Sequence, residues 1–474
     1  MTTHLPLIID LDGTLLLTDT LVEGLTSAAF NRPTQTVFAV ARLYEGRPAL
    51  KKRINALVDL DFETLPVRQN LLNYLESEKA RGRPVYLVTA ADQSIADAIA
   101  ARFGVFDEVH GTNSDTNLKG SAKQAFLRSK FPDGYVYAGD SSADLKVWCD
   151  ADGIILAGAS KKTREKAARL AAPIEAEFSD TTSETKSWLK ALRVHQWAKN
   201  LLLFVPLLLS GQFLDPVSIM YATAAFLLVG LTASGTYILN DLVDLSSDRR
   251  HRTKNQRPWA SGALFIGYGL ITAPVLILMG LIGAVLLSPA FAISLAAYLV
   301  ITLSYSFRLK RVVMLDVFIL ATLFTLRLAM GTTAISAEIS QWLLTFSMFF
   351  FFSLSLAKRH VEVDAATPGK LITGRGYLAE DAPLTLNIGL ASAAASIVIL
   401  VLYLAEEAFP SGQYAHPEWL WFAPIVISLW MMRIWLLAHR GQLDDDPVAF
   451  AVKDKWSMAL GGVLGVAFMA AVFI

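Results

Sequence analysis

From Pro258 to Phe307 the chain runs for 50 residues without a charged side chain, interrupted only by Ser288-Pro289. A helix crosses the hydrocarbon core of a bilayer with about 20 apolar residues. This stretch is therefore long enough to cross twice, turning at Ser288-Pro289. Soluble helices rarely stay uncharged for so long, because one face must meet water. The pattern recurs through the C-terminal half. Residues 217–239, 339–357, 382–405 and 456–474 are uncharged. Weaker apolar segments occupy 197–214, 312–333 (with Asp316 and Arg327) and 419–438 (with Arg433). Nine transmembrane helices are expected over 197–474, an all-α membrane domain.

The charges between these segments give a direction. Loops 241–260, 308–311, 358–383 and 439–456 carry 5, 3, 4 and 3 Lys and Arg, while 211–216, 288–290, 334–341 and 406–418 carry none. The positive-inside tendency then puts the N-terminal half in the cytoplasm and the C-terminus outside, across the cell membrane. Residues 181–196 read as a linker that becomes an interfacial helix, with Trp188, Leu189 and basic residues mixed. The first residues, lacking a basic start and a long apolar run, are not expected to be a secretory signal.

Composition narrows the classes further. Lys+Arg and Asp+Glu are both 42, so no global basic field exists to hold nucleic acid. Cys149 is the single cysteine, which excludes an internal disulfide and any cysteine-cluster metal site.

Residues 1–180 mix charged helical patterns with short apolar runs. Pro6–Ile9 ends in Asp10-Leu11-Asp12-Gly13-Thr14, an apolar strand delivering two carboxylates to a glycine turn. A second run, Pro84–Val88, ends in Thr89. Lys119 precedes a helical pattern. A third run, Tyr135–Ala138, ends in Gly139-Asp140-Ser141-Ser142-Ala143-Asp144. This ordered set resembles the haloacid dehalogenase superfamily of aspartate-nucleophile phosphatases. The resemblance implies an α/β domain over 1–180, a Rossmann-like parallel sheet with a helical cap at about 18–75. It also implies roles. Asp10 attacks phosphorus, Asp12 is the general acid and base, and Thr89 and Lys119 bind the phosphoryl oxygens. Mg²⁺ falls to Asp10, the Leu11 carbonyl, Asp12, Asp140 and Asp144.

In the apolar half, 217–239 runs straight into Asn240-Asp241-Leu242-Val243-Asp244-Leu245-Ser246-Ser247-Asp248. Helical spacing puts Asn240, Asp241, Asp244 and Asp248 on one stripe. Like charges so placed need compensation, and divalent metal on diphosphate supplies it. Arg249, His251, Lys254 and Arg257 follow. The segment resembles the UbiA superfamily of intramembrane prenyltransferases, and within it the branch of decaprenyl-phosphate phosphoribosyltransferases. That branch has Arg-x-x-Gln-Trp-x-Lys-Asn before its first span, here Arg193, Gln196, Trp197, Lys199 and Asn200. It extends the acidic motif through to Arg-Pro, here unbroken from Asn240 to Pro258. It also has Lys-Arg-x-x-Glu, here Lys358, Arg359 and Glu362, and an Arg-Asp pair that is Lys453-Asp454 in this chain.

The resemblance implies Mg²⁺-dependent transfer of 5-phosphoribosyl from phosphoribosyl diphosphate to polyprenyl phosphate, with Asp241, Asp244 and Asp248 holding the metal. Lys199, Asn200, Asn240, Arg249, His251, Lys254, Arg257, Tyr305, Lys310, Arg327, Lys358, Arg359 and Glu362 are the expected substrate contacts. Arg327 lies eleven residues after Asp316, about 16 Å deeper on the same helical face. A charge at that depth is either functional or paired with another helix. The fused phosphatase is expected to remove the 5-phosphate, leaving polyprenyl-phosphoryl ribose. A homo-oligomer is compatible with the sequence. The alternative is an aromatic prenyltransferase using a polyprenyl diphosphate, the phosphatase domain having a separate or regulatory role. Against it, the loop at 358–364 leads with cations where aromatic prenyltransferases carry a second acidic motif.

Overall fold

The computed structural model describes residues 5–58, 60–113, 118–179, 183–372, 375–443 and 447–474. Of the linker expected over 181–196, residues 181 and 182 lie outside the described residues. The chain forms two compact units: Met1–Leu192 with Tyr237–Ala273, and Arg193–Thr236 with Pro274–Ile474.

The first unit is built on a six-stranded parallel sheet. Its strands are β1 (Leu7–Ile9), β2 (Val85–Asp92), β3 (Glu108–Thr112), β4 (Val136–Gly139), β5 (Gly153–Ala157) and β6 (Ile174–Phe178), in the order β3-β2-β1-β4-β5-β6. A parallel sheet is covered on both faces, so its strands read as near-continuous apolar runs. Leu7, Ile9, Leu87, Val136, Ala138 and Ile155 pack on one side; Ile8, Val88, Tyr137, Ile154 and Leu156 join Trp148 on the other. Strand order reverses between β1 and β4. In open α/β sheets the crevice beyond the carboxyl ends of such strands is where ligands bind.

Between β1 and β2 stand α1 (Thr20–Asn31), α2 (Pro33–Ala41), α3 (Arg47–Leu57) and α4 (Gln69–Ala80). The first three form a cap with its own small core of Ala28, Ala39, Leu50 and Ile54. Asp19 caps α1 by accepting from the Leu21 and Val22 amides. The sheet is completed by α5 (Gln93–Phe103), α6 (Ser121–Lys130), α7 (Leu145–Trp148) and α8 (Lys161–Ala167), followed by α9 (Glu184–Ala191).

The second unit is helical. Val194–Phe204 is a 3-10 helix, and α10 (Val205–Leu209) follows it with Pro206 in its first turn. Next come α11 (Pro216–Val243) and α12 (Leu245–Arg250), of which residues 237 onward belong to the first unit. The remaining helices are α13 (Ile266–Leu287), α14 (Pro289–Phe307), α15 (Leu315–Ala334), α16 (Gln341–Asp364), α17 (Ala382–Tyr403), α18 (Phe422–His439), α19 (Pro447–Ala451) and α20 (Lys455–Phe473). Among the described residues, seven helical stretches are long and apolar enough to cross a membrane, where the sequence led us to expect nine. The segment 197–214 falls short because its apolar helix covers only 194–209, part of it in the tighter 3-10 form. The segment 339–357 lies mostly in α16, a 24-residue helix that ends in the charged stretch Lys358–Asp364 and is not among the seven. Leu286, Ile293 and Val466 stay more than two-thirds exposed on their helices, as a lipid solvent permits. The chain is a multi-pass membrane protein.

Candidate active sites

A cavity of about 540 Å³ opens beyond the carboxyl ends of β1, β2 and β4. Asp10 and Asp12 follow β1, Thr89 lies on β2 and Asp140 follows β4; Lys119 precedes α6, and all five line the cavity with Lys123 and Asp144. The turn after β1 is made by Gly13 at φ +76°, and a Cβ there would sit 2.5 Å from the Asp140 carboxylate. Buried Arg68 holds that turn from below, donating to the carbonyls of Gly13 and Thr14 at 3.0 Å each.

Asp10, Asp140 and Asp144 bring carboxylate oxygens within 4.8 Å of one another. Asp144 is also the anchor of its loop, accepting from the amides of Asp140 and Ser141 and from the Ser141 hydroxyl at 3.0–3.2 Å. Three hard oxygen donors this close suit a divalent cation such as Mg²⁺. Asp12 stands apart from the three. Its Oδ1 accepts from the Thr20 amide at 2.9 Å, which fixes it against the start of α1. The Leu11 carbonyl, expected at the metal, accepts from the Leu16 amide at 2.9 Å.

Lys123, on α6, was not anticipated. Its ammonium lies 2.9 Å from Asp10 Oδ1 and donates to Tyr137 Oη at 2.9 Å, and Tyr137 in turn donates to Asp144 Oδ1 at 3.1 Å. Lys119 lines the same cavity. Burial and the neighbouring Asp144 and Asp10 push the Asp140 carboxyl up to about 8. Burial, then Asp19, pushes Asp12 up to about 7. Burial drives Lys51, which reaches into the cavity from α3, below its ordinary value. Thr89 is buried and its hydroxyl accepts from the Ala91 amide at 3.0 Å.

The acidic stripe lies at the junction of α11 and α12, in the first unit. Asp241 and Asp248 are buried, and Arg257 pairs with both, 3.0 Å from Asp241 Oδ1. Asn240 donates to Asp244 Oδ2 at 3.3 Å. Arg257 offsets part of the charge on Asp241 and Asp248. Arg249, expected at the substrate, pairs with Glu23 of α1 and donates to the Ala260 carbonyl at 3.2 Å. His251 and Lys254 are exposed beside the stripe.

In the second unit, Asp316 is fully buried and gathers three partners: Arg359 at 2.8 Å, Arg375 at 3.2 Å and the Tyr377 hydroxyl at 2.7 Å. Arg375 also donates to the Tyr305 hydroxyl at 3.2 Å, and Arg359 pairs with Glu362. Arg375 and Tyr377 escaped the sequence reading, since the loop holding them has no periodicity. Lys310 lies in a 3-10 turn (Leu309–Arg311) after α14, which carries Tyr305, and Lys358 precedes Arg359 on α16. Arg327 is buried and donates to Asn200 Oδ1 at 3.1 Å, Tyr298 Oη at 2.9 Å and the Leu323 carbonyl at 2.7 Å. Lys199 lies over the Phe324 ring at 5.5 Å. Asp454 pairs in bidentate fashion with Arg433 at 2.6 and 2.9 Å, while Lys453 is exposed.

Comparison with known proteins covers both halves. The UbiA prenyltransferase family matches residues 201–471, and haloacid dehalogenase-like hydrolases match 7–148. Uncharacterized protein y4nM of Sinorhizobium fredii is 45% identical over 469 residues, 98% of this chain and 91% of that one. Nodulation protein NoeC of Azorhizobium caulinodans is 33% identical over 291 residues, 60% of this chain and 93% of its own. A decaprenyl-phosphate phosphoribosyltransferase of Mycobacterium tuberculosis is 28% identical over 275 residues, 56% of this chain and 88% of its own. The chain belongs to the UbiA prenyltransferase family, and it carries a haloacid dehalogenase-like domain at its N-terminus.

Proposed function

We propose that the chain performs two steps in sequence at one membrane face. In the first, a polyprenyl phosphate oxygen attacks the anomeric carbon of phosphoribosyl diphosphate, the bond to diphosphate breaks, and polyprenyl-phosphoryl 5-phosphoribose forms. Asp241, Asp244 and Asp248 would hold Mg²⁺ on the leaving diphosphate, where the cation offsets developing charge. Asn240, His251, Lys254 and Arg257 border these acids. Lys199, Asn200, Tyr305, Lys310, Arg327, Lys358, Arg359 and Glu362 are the proposed substrate contacts of the second unit, joined by Asp316, Arg375 and Tyr377. The cations at 358–375 support a phosphate-bearing sugar over a neutral ring.

In the second step the Asp10 carboxylate attacks the 5-phosphate, Asp12 protonates the departing sugar oxygen, and the aspartyl-phosphate is then opened by water that Asp12 deprotonates. Asp10, Asp140 and Asp144 would hold Mg²⁺ there, screening the phosphoryl charge. Thr89, Lys119 and Lys123 would hold the phosphoryl oxygens. A raised Asp12 carboxyl is suited to the acid role, because it keeps its proton near neutral pH. The products are polyprenyl-phosphoryl ribose and phosphate. The cell membrane is the proposed location, with the phosphatase cytoplasmic and the C-terminus outside.

The observation that carries this reading is a full set of aspartate-nucleophile phosphatase groups around one cavity, in the same chain as an unbroken Asn240–Pro258 motif. The first step makes a phosphomonoester; the second consumes one. Purified protein incubated with Mg²⁺, labelled phosphoribosyl diphosphate and polyprenyl phosphate should yield a ribosylated lipid by mass spectrometry. Prenylation of an aromatic acid from a polyprenyl diphosphate, with no ribosyl lipid, would overturn the reading.

A further inference from the structure

The structure links Asp12 to the acidic-motif segment by a run of buried contacts within the first unit. Asp12 holds the Thr20 amide at 2.9 Å, and the next residue, Gly13, donates its amide to the Thr18 carbonyl at 3.2 Å. The Thr18 hydroxyl donates to Glu23 Oε1 at 2.7 Å. Glu23 is 4% exposed, and its other oxygen accepts from Arg249 Nη1 at 3.2 Å. Arg249 continues to the Ala260 carbonyl at 3.2 Å. A second contact runs beside the first. Gly262, at φ +75°, lies so close to the hairpin after β1 that a Cβ would sit 2.5 Å from the Leu17 Cβ. The base of α1 is thus held from one side by the sheet and from the other by 249–262.

We propose that Glu23 and Arg249 are a positioning pair for the phosphatase: the cation from the transferase motif sets where α1, and with it Asp12, stands over the cavity. The proposal rests on the phosphatase reading of that cavity. Its physical basis is the cost of burying one charge alone. A buried carboxylate that loses its cation must recover solvent or a new partner, and it does so by moving. The element free to move with Glu23 is α1, whose first residue fixes Asp12. Thr89, Lys123 and Asp140 lie on other elements, so phosphoryl binding is left in place while proton delivery is displaced.

That distinction decides the test. A sugar phosphate releases an alkoxide that needs a proton from Asp12, whereas p-nitrophenyl phosphate releases a stable phenolate that does not. In full-length protein with Mg²⁺, Arg249→Gln should lower kcat/KM, which reports aspartyl-phosphate formation and not the later water attack common to both esters, on ribose 5-phosphate at least about tenfold, within the range of general-acid effects, and change kcat/KM on p-nitrophenyl phosphate by less than about threefold. Glu23→Gln should give the same split, and Arg249→Lys should restore most of the lost rate. Arg250→Ala, which breaks an ion pair to Asp61 on an arginine that is 67% exposed, should stay within about twofold on both esters. Equal losses on the two esters in both Gln variants, as loss of folded protein would give, overturn the positioning role. So does wild-type behaviour on both. If the wild-type chain hydrolyses neither ester, the phosphatase reading itself fails.

Discussion

The Lys123 ammonium lies 2.9 Å from Asp10 Oδ1 while also donating to Tyr137, so the attacking carboxylate and its counter-cation are held by two different elements, β1 and α6. A buried lysine placed this way orients the carboxylate and offsets the charge of an incoming phosphoryl group. Lys123→Met should reduce phosphomonoester hydrolysis by about 100-fold or more, the scale of losing one stabilising donor. Steady-state kinetics would measure it, and a rate within threefold of wild type, on the order of 0.6 kcal/mol, would remove Lys123 from the site.

Asp10→Asn should leave ribosyl transfer running and stop dephosphorylation, because an amide has no anionic oxygen to attack phosphorus. The lipid that accumulates should then be polyprenyl-phosphoryl 5-phosphoribose, one phosphate heavier than the wild-type product. Mass spectrometry separates the two. Identical lipids from both proteins would mean that the phosphatase acts on another substrate.

Asp244→Asn should do the reverse. Losing one anionic ligand weakens a hard-cation site, so lipid product should vanish while hydrolysis of a simple phosphomonoester continues. Normal lipid transfer by this variant would remove the acidic stripe from the reaction.

The pH dependence has a defined sign. Asp140 sits near 8 and Asp12 near 7, both well above the unfolded carboxylate value of 3.8. Between these limits the folded chain holds protons that the unfolded chain has released, so stability falls as pH rises through the window. A divalent cation on Asp10, Asp140 and Asp144 favours the ionised forms. The rise in Tm on adding Mg²⁺ should therefore be larger at about pH 8.5 than at about pH 6. Equal shifts at the two pH values would contradict a cation at these carboxylates.

Asp316→Asn tests the second unit. Arg359 is 1% exposed and Asp316 is 0% exposed, and Arg375 shares the same carboxylate. Removing the anion leaves buried Arg359 with Glu362 alone and takes this carboxylate from Arg375, at a cost of about 3 kcal/mol. A marked drop in Tm of the detergent-solubilised protein is expected. An unchanged melting curve would show that the cluster contributes little to folding.

What the sequence disclosed follows from what each residue type needs locally. Asp10 and Asp140 were legible because an apolar run that ends in acids at a glycine turn has few other readings. Asn240–Pro258 was legible because acids at helical spacing cannot be explained by solvation alone. Lys123 was hidden. A lysine four residues after another on a charged helix reads as solvent-facing, and only the neighbouring strand's Tyr137 shows otherwise. The pairing of Arg249 with Glu23 was hidden because the two lie 226 residues apart. Asp316 was seen at a helix start, but Arg375 and Tyr377 reach it from a loop with no period. Among the described residues seven stretches meet the length and composition of a span, and 197–214 is one of those outside them, where Pro206 and a 3-10 stretch shorten an apolar segment that composition alone lets run on.

The residues around Gly262 have a bearing on heredity. Leu17 and Gly262, and likewise Glu23 and Arg249, are encoded far apart yet fitted to each other inside the first unit. A recombination that exchanged either half for a free-standing counterpart would join surfaces never selected together. A Cβ at 262 would meet both the Leu17 Cβ and its carbonyl oxygen from a left-handed backbone, which holds 262 to glycine, and a neutral residue at 249 leaves an acid at 23 stranded. Lineages that keep the fusion should hold 262 to glycine and show 23 and 249 changing in concert, whereas lineages that encode the halves as separate genes should let all three drift.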